Sequence, residues 1–257
     1  MGLDASVHCN CVKARPHPFP ELRKEKQIMP KFDITKMNVA VDKLLDTTTN
    51  PRHRFMLQAY SRHRYLEVAG RYEEIFAPDM MNMHPRYVFK IAGNDNALTG
   101  QDSVKALYRF LAETNQSFIY VEDEEVAVSD HCVFSIGIMN RQVSGKSLKV
   151  RKLMALLPNV VSAKILSKFL GAKDHKADDS DMYLHRNKVE MVWPYDDRCR
   201  LLGEDVYEPD PEKAELFKLD PADVLTTEES GKLLAPFIKP LPSFDEAVLA
   251  NKSAAGA

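Results

Sequence analysis

Four polar side chains recur at helical spacing between residues 60 and 67. Tyr60, His63, Arg64 and Glu67 are three or four positions apart, so on a helix they can contact one another. If this side faces the interior, Arg64 or Tyr60 can stabilise a developing oxyanion. The alternative is an ordinary ion-paired helix surface, and the spacing leaves both interpretations open.

A second candidate lies in the extended-looking segment from Asn82 to Ile91. His84 can act as a general base or acid near neutral pH, and Tyr87 follows three residues later. Because alternate residues of a strand face opposite sides, both cannot point inward unless Pro85 introduces a bulge. We expect His84 to be the inward-facing base, although a solvent-exposed histidine also fits the sequence.

Several polar residues interrupt the predicted strands further along the chain. Most of them should lie on a solvated face of the sheet; they are Tyr120, His131, Arg186, Lys188, Glu190 and Glu204. Tyr120 can stack on an aromatic ligand, and Glu204 is a candidate carboxylate on the last strand. Trp193 and many methionines are interpreted as core, but they also suit an adaptable aromatic pocket.

Local signals define the elements that carry these residues. Asn50 and Pro51 predict a helix start, and Gly70 predicts its end. A short helix should follow from Arg71 to Phe76, then the strand that contains His84. "AGNDNALTG" is interpreted as a loop, and Gln101 to Glu113 as a helix with Tyr108 on its apolar face.

Four long strands are expected after that helix. Their sequences are "SFIYVEDEEVAV", "HCVFSIGIMNR", "MYLHRNKVEMVWPY" and "CRLLGEDVYE". This order predicts the α+β class, with a strongly bent, cone-shaped antiparallel sheet and helices on its concave side.

The domain organisation predicted from the chain has three parts. Residues 1–33 form an N-terminal arm, 34–210 the cone domain, and 211–257 an extension that wraps around it or reaches another subunit. A helical insertion at 149–171 can be a lid, an oligomer contact or a membrane-surface helix. In the extension, Thr226 with Glu229 matches a capping box.

Composition narrows the function further. With 257 residues, 44% of them hydrophobic, the chain can bury a substantial core. A net charge of −2 gives no electrostatic basis for nucleic-acid binding, and no apolar run is long enough for a membrane helix. Four scattered cysteines predict neither a disulfide framework nor a metal site, so we expect a cytoplasmic protein without a metal.

The first residues contain two short patterns. "MGLDAS" fits the myristoylation pattern at Gly2 and Ser6, with Cys9 and Cys11 nearby for palmitoylation, but three fixed positions match easily by chance. "HCNC" lacks a second pair of ligands at zinc spacing. Met29 can also be the natural start of the protein.

The segment "HRYLEVAGRYEEIFAPDM" (63–80) resembles the first helical hairpin of SnoaL-like proteins in the nuclear transport factor 2-like superfamily. "LTGQDSVKALYRFL" is similar to the third helix of that family, and "GEDVYE" (203–208) to its final strand. The resemblance covers about residues 50–210. It implies an apolar pocket in the cone with a few polar groups, no cofactor, and proton-transfer chemistry.

Within the superfamily, the chain looks most like the γ-formaldehyde lyases that deformylate lignin-derived diarylpropanediols. This implies a cofactor-independent lyase that releases a stilbene and formaldehyde. His84 is then the expected base, Glu204 or Tyr60 the acid, and Arg64 the group that holds the phenolate. The expected substrate contacts are Tyr87, Tyr120, His63 and Trp193.

Two other functions fit the same residues. One is an isomerase, cyclase or dehydratase on a polyketide or terpenoid ring, and the other is a non-catalytic small-molecule-binding module. In each case we expect a small hydrophobic or aromatic ligand and a homo-oligomer, a dimer or trimer.

Overall fold

The computed structural model describes residues 32–91, 94–148 and 181–250. The N-terminal arm with its lipidation and "HCNC" patterns, and the insertion at 149–171, lie outside the described residues. Four α-helices lie wholly within the described part: α1 Val39–Thr47, α2 Pro51–Val68, α3 Gln101–Glu113 and α4 Thr227–Leu234. Short 3-10 helices include Ile34–Lys36 and Tyr72–Phe76.

Helix α2 begins and ends where local signals predict. The Asn50 side chain accepts a hydrogen bond from the Arg52 amide at 2.9 Å, and Pro51 is the first helical residue. After Val68 the chain turns at Gly70, whose φ of +70° favours glycine. A Cβ at Gly70 would also collide with the Thr227 side chain. The C-terminal part of the chain is therefore packed against this corner.

In the ranges that the structure describes, seven strands form one sheet: β1 Met81–Ile91, β2 Asn94–Thr99, β3 Ile119–Val128, β4 Cys132–Ser144, β5 Met182–Pro194, β6 Leu201–Tyr207 and β7 Glu215–Lys218. The order is β2-β1-β6-β5-β4-β3, and β7 pairs with β5 beside β6. The predicted α+β class, with a curved, unclosed sheet and helices, is confirmed.

Two details of the sheet differ from the expectation. Residues 94–99, predicted as a loop because of their polar composition, form β2, which pairs with β1 in a hairpin. The ladder hydrogen bonds to β1 override the weak strand propensity of this segment. In addition, β1 and β6 pair in parallel, which sets Tyr87 beside Glu204.

The main core lies between α2 and the inner face of the sheet. It includes Phe55, Leu57 and Tyr60 from α2, together with Val189 and Trp193 from β5. The predicted capping box at the start of α4 is present, with Thr226 and Glu229 hydrogen-bonded to each other's backbone. No helix in the described ranges is long and apolar enough to cross a membrane.

A β-bulge in β3 changes which residues of that strand face inward. Glu122 pairs with Ile138 and Glu125 with Ile136, so both Asp123 and Glu124 lie opposite Gly137. Asp123 takes a φ of +48° to accommodate the extra residue. As a result, the side chain of Glu124 turns into the core and is only 3% exposed.

Gly137 makes room for this bulge. A Cβ there would lie 2.6 Å from the Val121 Cγ1 and 2.7 Å from the Glu122 carbonyl oxygen. We therefore expect Gly137→Ala to lower the free energy of unfolding by about 1–3 kcal/mol, the usual cost of overpacking. Chemical denaturation measures this difference.

Asp123→Gly in the same bulge is the matched control. Glycine adopts a positive φ more easily than aspartate does, so this variant should be as stable as the natural chain or slightly more so. A Gly137→Ala protein with an unchanged denaturation midpoint would mean that the bulge does not require glycine.

Candidate functional site

Arg64 and Glu124 form a buried ion pair at the centre of the site. Arg64 Nη1 donates to Glu124 Oε1 at 3.0 Å and to Oε2 at 2.7 Å, and the two side chains are 5% and 3% exposed. Tyr60 and Ser135 also donate hydroxyl hydrogen bonds to Glu124 Oε1. Four donor contacts thus compensate the desolvation of this carboxylate. Arg64 Nη2 has no hydrogen-bond partner among the described residues.

A chain of buried hydrogen bonds connects His63 in α2 with Tyr108 in α3 and Tyr87 in β1. His63 Nε2 is 2.9 Å from the Tyr108 hydroxyl, which donates to the Tyr87 hydroxyl at 3.3 Å. Burial, with a smaller contribution from the positive charge of Arg64, lowers the pKa of His63 to about 3. The imidazole is therefore neutral near pH 7 and serves as a fixed hydrogen-bonding group.

Glu67 and Glu204 are two carboxyl groups that resist ionisation here. Burial raises the pKa of Glu67 to about 7, and the charge of Arg64 only partly opposes this effect. Burial and the negative charge of Glu67 raise the pKa of Glu204 well above its usual range. Because each charge disfavours the other, the pair retains at least one proton near neutral pH. Such a pair can supply both a general acid and a general base.

Trp193 forms one wall of the site. Its ring makes edge-to-face contacts with Tyr60 and with His63, at centroid distances of 4.8 Å in both cases. The indole Nε1 is buried and has no hydrogen-bond partner in the part of the chain that the structure describes. With Arg64 Nη2, it is one of two unpaired donors in this region.

We call this group the inner polar cluster; its members are Tyr60, His63, Arg64, Glu67, Tyr87, Tyr108, Glu124, Ser135, Trp193 and Glu204. It brings together six of the eight residues selected from the sequence: Tyr60, His63, Arg64, Tyr87, Trp193 and Glu204. The interior orientation of the 60–67 helix face is therefore observed, whereas the surface alternative is not.

His84 and Tyr120 lie outside the cluster. The His84 side chain is exposed, so the expectation that it faces inward is wrong. The alternation between His84 and Tyr87 is correct, but Tyr87 is the residue that points inward, since its register partner is Glu204 on the inner face. Tyr120 packs against Phe32, with ring centroids 5.0 Å apart, and does not contact the cluster.

Four cluster members were not among the eight selected residues: Glu67, Tyr108, Glu124 and Ser135. Glu67 was considered only as part of the polar face of the 60–67 helix. Glu124 lies in the acidic run "EDEE", which suggests a solvated surface, and Tyr108 was interpreted as core. A signal for Glu124 does exist: inward apolar residues fall on odd positions up to Val121 and on even positions from Val126. This shift of parity indicates a one-residue bulge. Ser135 has no comparable signal.

Metal binding finds no support in the described ranges, where no group of three or more His, Cys, Asp or Glu side chains could hold a metal ion. Two carboxyl groups of the cluster, those of Glu67 and Glu204, have no ion-pair partner like that of Glu124, and the pair retains a proton near neutral pH. What it offers is proton transfer and hydrogen-bond donation in a largely dehydrated interior.

Comparison with known proteins finds similarity to a solved structure. No family model matches the chain, and no curated protein matches it. The solved structure is that of an NTF2-like protein from Anabaena variabilis ATCC 29413, which is 11% identical. The match covers 63% of this chain and 92% of that chain, with a TM-score of 0.39. At these values the likeness says nothing about activity, and the fold class rests on the sheet and helices described above.

The raised pKa of Glu67 predicts a measurable effect on stability. The folded state holds the Glu67 proton up to about pH 7, whereas an unfolded glutamate releases it near its ordinary pKa of 4.5. Stability should therefore fall as pH rises between these values, by up to about 1.4 kcal/mol per pH unit. Glu67→Gln lacks this titration, so its stability relative to the natural chain should increase from pH 4.5 to pH 7.

The difference between the two proteins is the quantity to measure, because His63 acts in the opposite direction. Its lowered pKa makes the folded protein more stable as pH rises from about 3 to 6.5, the ordinary pKa of a histidine. That contribution is common to both proteins. Glu73→Gln, at an exposed position, is the control, and its difference curve should be flat. A flat curve for Glu67→Gln as well would contradict the assignment.

Proposed function

We propose that this protein is a cofactor-independent enzyme that transfers protons on a small, mostly aromatic substrate. The observation that carries the proposal is the Glu67–Glu204 pair, two enclosed carboxyl groups whose pKa values are raised toward or above neutrality. Enclosed carboxyl groups with raised pKa values are typical of acid–base catalysis. Trp193 and the unpaired Arg64 Nη2 supply an aromatic wall and a cationic donor beside the pair.

The specific reaction that we propose is the deformylation of a lignin-derived diarylpropanediol. Glu204, as the protonated carboxyl, donates a proton to the benzylic hydroxyl, which leaves as water. The para-phenol supplies the electrons and forms a quinone methide; its proton passes to solvent, from which the stilbene phenolate is reprotonated at the end of the reaction. Glu67, as the base, then removes the terminal hydroxyl proton. The carbon–carbon bond breaks, formaldehyde leaves, and the electron pair restores the aromatic ring as the stilbene forms.

The reaction is balanced without an external oxidant or reductant, since the diol yields one stilbene, one formaldehyde and one water. Arg64 Nη2 holds the phenolate oxygen through a charge-assisted hydrogen bond. Tyr60 donates to Glu124 at 3.1 Å, and burial raises its pKa, so it positions that carboxylate and is not our choice for the acid. The choice of this substrate is supported by the size of the chain, the insertion at 149–171 and the long C-terminal extension, which resemble those of the lyase subgroup.

Incubation of the purified, dialysed protein with a racemic diguaiacylpropanediol tests this function directly. Formaldehyde and stilbene should appear in equal amounts without an added cofactor. Glu204→Gln should reduce kcat by roughly 10²–10⁴-fold, the range for loss of a general acid. Glu67→Gln should reduce it comparably, and thermal unfolding checks that both variants are folded.

His84→Ala is the matched control, because this exposed side chain lies outside the inner polar cluster. The variant should keep full activity. If His84→Ala is inactive and Glu204→Gln is active, our assignment of the acid and base is wrong. Absence of both products would overturn the lyase proposal and leave an isomerase, cyclase, dehydratase or binding module to be tested with other ligands.

A further inference from the structure

Asn187 in β5 is a buried amide without a hydrogen-bond partner in the part of the chain that the structure describes. Its side chain is 3% exposed, and neither Nδ2 nor Oδ1 has a hydrogen-bond partner in the described ranges. Burial of an unpaired amide costs free energy, on the order of 1–3 kcal/mol by mutational data. Most buried polar groups in proteins have partners, so an amide unpaired at both ends requires an explanation.

The strand pattern places Asn187 on the same face as the inner polar cluster. Asn187, Val189, Met191 and Trp193 are buried, whereas the intervening Lys188 and Glu190 are exposed. Met139, the register partner of Asn187, belongs to the core under α2. The unpaired amide is therefore directed to the inner side of the sheet.

Val189 and Met191 form an apolar stretch on the inner face of β5. Polar groups lie at both ends of this stretch: Asn187 at one end, and the neighbours of Met191 at the other. Ser135, which contacts Glu124 beside Arg64, is the register partner of Met191. From Met191 to Asn187 is four residues, or roughly 13 Å of strand, and Val189 lies between them. This span is comparable to two aromatic rings joined by a two-carbon bridge, and longer than a single ring.

We infer that Asn187 is a specificity-determining residue that binds the far hydroxyl of an elongated, two-ring ligand. One end of the ligand contacts Arg64 Nη2 and Trp193, its apolar middle lies along Val189 and Met191, and its second oxygen substituent reaches Asn187. The amide both donates and accepts, so it matches a hydroxyl group. This inference rests on the proposed function and adds the length and the polar ends of the substrate to it.

Trp193 makes the inference measurable without turnover. It is the single tryptophan of the chain, so intrinsic fluorescence reports binding at the cluster alone. We would titrate two unreactive ligands, 4,4′-dihydroxybibenzyl and 4-hydroxybibenzyl, which differ only in the far hydroxyl. The natural protein should bind the dihydroxy compound about tenfold more tightly, as expected for one buried hydrogen bond to a neutral group.

Asn187→Leu should abolish this preference, so that both ligands bind with the affinity of the monohydroxy compound. Its thermal midpoint should be equal or higher, because an unpaired buried amide is removed. Asn187→Ser is a second, smaller variant with the same expected loss of preference. A preference that survives in both variants, or a midpoint that falls by several degrees in both, overturns the inference.

Asn140→Leu provides a matched control on the neighbouring strand. Asn140 is also buried, but its Nδ2 donates to Glu122 Oε1 at 2.7 Å. This variant should lose stability and keep the ligand preference. If neither bibenzyl changes the fluorescence of the natural protein, the proposed function fails together with the inference. If both bibenzyls bind to the natural protein and Asn187→Leu keeps the preference for the dihydroxy compound, only the inference about Asn187 fails.

Discussion

The buried ion pair between Arg64 and Glu124 is the interaction on which the rest of the site depends. A guanidinium group can be enclosed between a helix and a sheet only if a carboxylate and further hydrogen bonds replace the lost water. Glu124 meets this requirement because the β3 bulge turns it inward, and Gly137 permits the bulge. The position of α2 on the sheet is thus coupled to one irregularity in a neighbouring strand. A regular β3 would direct a different residue toward Arg64.

Burial dominates the protonation of the other two acids, and the charge of Arg64 opposes it only in part. Arg64 contributes one positive charge to the inner polar cluster, and Glu124 neutralises it through two close contacts. Glu67 and Glu204 are left in a buried environment with only a distant share of that charge, so burial dominates and their pKa values rise. If Glu124 were absent, Arg64 would be free to stabilise their ionised forms. Because Glu124 pairs with Arg64, Glu67 and Glu204 can keep the raised pKa values that acid–base chemistry requires.

The sequence predicts the helices more reliably than the orientation of single side chains. The start and end of α2 follow from Asn50, Pro51 and Gly70 because caps act locally. The strands were also predictable from the sequence, except for β2 and β7, whose stability comes from their pairing with β1 and β5. Whether His84 or Tyr87 points inward depends on the register between β1 and β6, and these strands are far apart in the chain. The inward orientation of Glu124 could be predicted only from the shift between odd and even apolar positions in β3, because the acidic composition of this segment indicates a solvated surface.

The division of labour within Arg64 explains why arginine suits this position better than lysine. Nη1 makes both contacts with Glu124, and the guanidinium carbon lies 5.3 Å from the centroid of the Tyr60 ring, so the direction of Nη2 is restrained by two neighbours. An ammonium group on a flexible stem would have no second donor held in a defined direction. Trp193 is restrained in a similar way, by edge contacts with Tyr60 and His63. The two unpaired donors are therefore oriented before any ligand arrives, and a ligand that accepts from them does not have to reorganise the protein.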